Sequence, residues 1–142
     1  MSSLRPLLAG ALLTTLAAWG CSSPTASCDE GHPVLGEWSY HATRESGVQG
    51  TISGSLVMES RNCSDLHGVI DVVEVLATGQ SRRVAGPVSG TMVDSTLVRF
   101  EALLDGGSRE HFARIRGDSI AGNWVETSSG ASGAGPFSGR RQ

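Results

Sequence analysis

The residues that could do chemistry are few, and their spacing limits what that chemistry can be. Four histidines, His32, His41, His67 and His111, share no metal-ligand spacing, and Asp29 and Glu30 fall with His32 in an expected loop. No close-set group of Cys and His offers a zinc site. The many serines sit in repeated strand motifs, whereas a nucleophile needs a sharp turn with a base in reach. The carboxylates form no recognisable acid–base pair. No catalytic residue, metal or cofactor is therefore expected. Binding is better represented. Trp38, Tyr40, Phe100, Trp124 and Phe137 could line a pocket for a flat or apolar ligand, or could simply fill the interior of a small barrel. Arg109, Arg114 and Arg116, with Arg82 and Arg83, suit an anion or partner contact. Glu101, Glu110 and Asp118 beside them suit a solvated face of mixed charge.

These side chains need a scaffold, and the chain of 142 residues has room for one domain and a short leader. The net charge is −3, with no acidic or basic block, so a nucleic-acid partner is not expected. All eleven basic residues are Arg, a bias that a GC-rich genome explains.

Residues 1–20 carry one early charge, Arg5, and an apolar run from Leu7 to Trp19. The run is shorter than the ~20 residues a spanning helix needs and has the length of a secretory h-region. Ala18-Trp19-Gly20 then places small residues before Cys21. A cysteine directly after such a site resembles the lipobox of bacterial lipoproteins, which implies acylation of Cys21 and an anchor in a membrane of the cell envelope, on its periplasmic or outer face. The next residues, Ser22-Ser23-Pro24-Thr25-Ala26-Ser27, read as a flexible tether over 21–31. The folded domain is expected over 32–142. Export also favours a disulfide between the two remaining cysteines, Cys28 and Cys63. Closing that loop would contribute about 3–4 kcal/mol.

Within the domain one pattern recurs. Gly50-Thr51-Ile52-Ser53-Gly54 returns as Gly86-Pro87-Val88-Ser89-Gly90 and as Gly135-Pro136-Phe137-Ser138-Gly139, with a looser copy over 117–122. Two glycines in five residues cost a helix about 2 kcal/mol but suit a strand that bends sharply. Apolar residues alternate with polar ones in most segments, for example Ile52, Leu56 and Met58, or Val98, Phe100, Ala102 and Leu104. Strands are expected near 34–42, 49–60, 66–76, 82–85, 87–94, 96–104, 109–116, 119–126 and 134–140. The segment 66–76 is apolar on both faces, which a bulge or two-sided burial would explain. Short turns make neighbours antiparallel. The expected fold is all-β, an antiparallel up-and-down β-barrel of about eight strands, with a β-sandwich as the alternative.

Gly36-Glu37-Trp38 on the first strand resembles the Gly-x-Trp that opens lipocalins and other calycin barrels, and Gly122-Asn123-Trp124 repeats it late in the chain, as in avidin-like barrels. The resemblance implies that the Trp38 indole plugs one end of the barrel beside Gly36. It also implies that an Arg after the last strand, Arg140 or its neighbour Arg141, packs over the indole. Calycin-like exported proteins include ligand carriers and enzyme inhibitors. Two readings follow. One is a lipid-anchored envelope protein holding a small apolar ligand at a shared Trp38–Trp124 end. The other is a filled barrel whose loops 43–48, 61–65 and 105–108 engage an envelope protein.

Overall fold

In the computed structural model, residues 32–105, 107–127 and 133–142 are described. The expected leader, the tether, Cys21 and Cys28 lie outside them. Among the described residues eight strands form: β1 (Gly36–Arg44), β2 (Gly50–Asn62), β3 (Asp65–Leu76), β4 (Ser81–Met92), β5 (Leu97–Leu104), β6 (Gly107–Arg116), β7 (Ser119–Glu126) and β8 (Ala134–Arg140). Each pairs antiparallel with the next, and β8 returns to β1 to close the barrel. Closure leaves no free edge, and it gives every strand an inner face that must be filled.

Alternation assigns that inner face. Trp38, Tyr40 and Ala42 on β1 point in, as do Ile52, Leu56 and Met58 on β2 and Val98, Phe100 and Ala102 on β5. The repeated glycines act where strands crowd. A Cβ on Gly54 would lie 2.1 Å from the carbonyl oxygen of Asp71, and one on Gly122 would lie 1.8 Å from that of Phe112. No side chain fits there, so the Gly-x-φ-Ser-Gly copies mark close backbone approaches between bent strands.

Two expectations change in detail. Segments 82–85 and 87–94 are one strand, β4, because Pro87 sits on the outer face opposite Val69 while the β3–β4 ladder runs through it. The two apolar faces of β3 reflect neither a bulge at its centre nor two-sided burial. Ile70 and Val72 point inward, and Val69, Val73 and Val75 are 52%, 41% and 43% exposed on the outside. The only register shift with β2 lies at the turn, between Ser60 and Asn62.

The barrel has two dissimilar ends. At the end where β1 begins, the Trp38 indole is fully buried and donates from Nε1 to the Val34 carbonyl at 2.8 Å. The Arg141 guanidinium carbon stands 4.4 Å from the Trp38 ring centroid, and its nitrogens donate to the carbonyls of Leu35 and Pro33. The stacking role expected of Arg140 thus belongs to Arg141. Arg140 lies one position earlier, within β8, and its side chain faces solvent. Gly36 has a φ of +119°, and a Cβ there would press on the Arg141 guanidinium, so the glycine leaves room for the plug.

Candidate functional site: a charged network at one mouth of the barrel

Inner positions at the opposite end, where β1 stops, carry charge. Arg44 on β1, Glu74 on β3, Arg109 on β6 and Glu126 on β7 continue the inward alternation of their strands. Arg44 donates to Glu126 through both terminal nitrogens, at 3.0 and 2.7 Å. Its Nη2 also stands 3.8 Å from Glu74. Arg109 donates to Glu74 and, at 3.2 Å, to Glu126. Arg82, on the rim and 55% exposed, donates from Nε to Glu74 at 2.7 Å. Glu74 is 1% exposed and Glu126 is 11% exposed. The hydrogen bond with Glu126 raises the Arg44 pKa, and the same bond holds the Glu126 carboxyl below its usual value. Both guanidiniums also lie over the Trp124 ring, at 5.1 and 5.0 Å from its centroid, and the indole donates to the Thr43 carbonyl at 3.2 Å. A Cβ on Gly133 would sit 1.9 Å from Arg44 Nη1, so a larger residue there would have to displace the guanidinium.

Beneath the network lies a neutral polar pair. The buried His111 is bonded through Nδ1 to the Arg109 carbonyl at 3.1 Å and through Nε2 to the Tyr40 hydroxyl at 3.0 Å. A carbonyl only accepts, so Nδ1 carries the proton and Nε2 accepts from Tyr40. Phe100 stacks on the imidazole at 4.3 Å, and Phe137 closes the cluster at 5.1 Å. Burial pushes the His111 pKa down to about 3 and pushes the Tyr40 phenol up, so both are neutral across the physiological range.

A pH dependence follows. The unfolded histidine takes a proton near pH 6.5 and the folded one does not until about pH 3. Stability contributed by keeping His111 neutral is complete above pH 6.5 and is lost as pH falls through that window. The slope from this residue is at most about 1.4 kcal/mol per pH unit. Denaturant melts between pH 7 and 4.5 should show that loss in the wild type and a shallower one in His111→Phe. Equal slopes would mean that the imidazole takes up its proton within the fold.

The structure separates several residues that the sequence grouped. Tyr40, Phe100 and Phe137 meet at mid-barrel, whereas Trp38 and Trp124 plug opposite ends, so no shared Trp38–Trp124 site forms. All five are buried. Arg109 points inward, while Arg114 and Arg116 on the same strand point out. Arg83 points out and pairs with Asp71. Loop 61–65 lies at the Trp38 end, and the segments following Arg44 and Leu104 flank the charged mouth. Sequence reasoning missed Arg44, Glu74 and Glu126. Carrying the inward alternation to the last residues of β1 and β7 is the signal that finds Arg44 and Glu126, whereas β3, apolar on both faces, gives no local signal for Glu74.

No family model matches the chain, and no curated protein matches it. Among solved structures the chain is similar to a de novo designed fluorescence-activating β-barrel, at 20% identity and a TM-score of 0.60, over 78% of this chain and 94% of that one. It is also similar to the barrel EF1p2_mFAP2b bound to DFHBI, at 13% identity and a TM-score of 0.63, over 76% and 93%. A redesigned β-barrel, mFAP1, bound to DFHBI matches at 14% identity with a TM-score of 0.59, over 76% and 94%. At such identities the likeness is one of fold, a small closed antiparallel β-barrel.

Proposed function

We propose that this protein is an exported binding protein of calycin type, anchored through lipid on Cys21, that takes a small molecule at its charged mouth and releases it unaltered. The observation that carries the reading is the inward-facing network of Arg44, Glu74, Arg109 and Glu126 around Trp124. A barrel that only needs filling is served better by apolar side chains. Buried ion pairs add little net stability against apolar replacements, and perturbed charged groups gather at sites that do something. Two of the structural neighbours are bound to a small molecule, and a barrel of this form accommodates such a role. Export rests on the leader-like segment and the Cys21 motif. The His32–Cys63 hydrogen bond of 3.0 Å adds support for the Cys28–Cys63 bridge, since it sets the chain four residues past Cys28 against that turn.

Native mass spectrometry tests the reading on protein made with its own leader and extracted gently from bacterial membranes. Acyl mass on Cys21 together with a non-covalent passenger is the expected result. Acyl mass with no passenger would replace it by the second reading, a surface interaction module. The exposed Val69, Val73 and Val75 on the outer face of β3 favour that reading. A soluble product with unmodified Cys21 would remove the anchor.

A further inference from the structure

We infer that the outer face of β2, β3 and β4 is a contact between two copies of this chain, packed sheet on sheet about a two-fold axis. The outward residues of these strands stand in four register rows of three, from Val57–Val69–Pro87 to Thr51–Val75–Ser81. Three large apolar side chains, Val69, Val73 and Val75, are exposed on β3 alone, whereas β5, β6 and β7 each expose one. Leu103 extends the first row onto β5, because Val88 pairs with Ala102 and so sets Pro87 beside Leu103. An apolar patch of this kind, rimmed by hydroxyls and small residues, marks a surface that another surface covers. The contact is independent of whatever the charged mouth holds.

Charge selects the occupant. Among those twelve outward positions Asp71 and Arg83 are the only charged residues, and they pair with each other. Lipid headgroups draw on aromatic anchors and on basic residues left unpaired, and this face presents neither. An unlike protein would need an apolar face with one cation and one anion at the same spacing. A second copy brings that face by symmetry. In the register, Asp71 stands opposite Ala85 and Val73 opposite Arg83, so the two charges occupy one diagonal of a rectangle. A two-fold axis along the other diagonal sets Asp71 of each copy against the partner's Arg83, and brings Val73 onto Val73 and Ala85 onto Ala85. The closed barrel has no edge strand to offer, so face-to-face packing is the mode left to it. Three strands about 4.8 Å apart and a run from Val69 to Val75 rising about 3.3 Å per residue give a footprint below the ~800 Å² that each partner brings to a standard interface. The dimer is therefore weak and dissociates on dilution.

Sedimentation velocity tests the contact on the full chain, made with its own leader and kept in mild detergent, over a hundredfold range of concentration. The wild type should pass from monomer at the dilute end to dimer at the concentrated end. Val73→Glu sets two carboxylates against each other on the axis and should stay monomeric throughout, with Tm unchanged because the side chain faces outward. Asp71→Arg should also stay monomeric, and adding Arg83→Asp to it should restore the dimer by exchanging the two charges. Under mild oxidation Val73→Cys should give a disulfide-linked dimer, and Asn123→Cys, on β7 across the barrel, should not. A wild type that is monomeric at every concentration would overturn the contact. Flotation of that monomer with phosphatidylethanolamine–phosphatidylglycerol vesicles, abolished by Val73→Glu, would give the face to a membrane instead. A dimer that survives Val73→Glu would overturn this face as its seat, and a charge-exchanged variant no better than Asp71→Arg would overturn the two-fold arrangement.

Discussion

Replacing Glu74 by alanine is expected to destabilise the barrel by about 3–5 kcal/mol, because it leaves cations inside without their counter-charge. Glu74 is the most deeply placed carboxylate of the network and faces Arg44, Arg82 and Arg109. Arg82 can turn to solvent, and Arg44 keeps its two bonds to Glu126. Arg109 keeps only the longer contacts to Glu126 at 3.2 and 3.3 Å, at a site that is 5% exposed. For a domain of this size, with total stability of about 5–15 kcal/mol, the loss amounts to roughly 15–30 °C in Tm. Chemical denaturation of Glu74→Ala, Arg109→Met and the double variant checks the cause. If the cost is that of an unpaired buried charge, the double variant should be less destabilised than the two single losses added together. Additive losses would assign the effect to packing instead.

The same network shows where sequence reading succeeds and where it stops. Alternation assigns the inward side of β1, β2 and β5 through runs such as Trp38, Tyr40 and Ala42, because one face there is plainly apolar. It is ambiguous for β3. Val69, Val73 and Val75 oppose Ile70 and Val72, and nothing local says which set a closed sheet will cover. Glu74 falls in phase with Ile70 and Val72, yet a carboxylate reads as solvent-facing. Its partners Arg44 and Arg109 lie on other strands, far along the chain, and only closure brings them together. The tryptophans mislead for a related reason. β1 and β7 run in the same direction, but Trp38 is the third residue of its strand and Trp124 the sixth of its own. Two copies of Gly-x-Trp therefore sit at different heights, one at each end. Pro87 misleads locally. Its missing N–H argues for a break, but the ladder between β3 and β4 continues on both sides of it.

Trp38→Ala is the second substitution with a large expected effect, about 3–5 kcal/mol for a buried indole. Three losses add at this site. The apolar area of the ring goes, the Val34 carbonyl loses its donor at 2.8 Å, and Arg141 loses the face it covers at 4.4 Å. The arginines on either side of the end of β8 then separate plug from surface. Arg141→Met gives up the ring contact and the bonds to Leu35 and Pro33, and should cost more than 1 kcal/mol. Arg140→Ala removes a solvent-facing side chain and should stay within about 0.5 kcal/mol of wild type. Equal effects for the two would mean that the guanidinium over Trp38 contributes nothing beyond surface charge. The plug variants also bear on binding, because the charged mouth is built at the other end. In conditions where Trp38→Ala remains folded, it should still carry the passenger expected of the wild type by native mass spectrometry. A Trp38→Ala variant that stays folded but no longer binds would place the ligand at the Trp38 end.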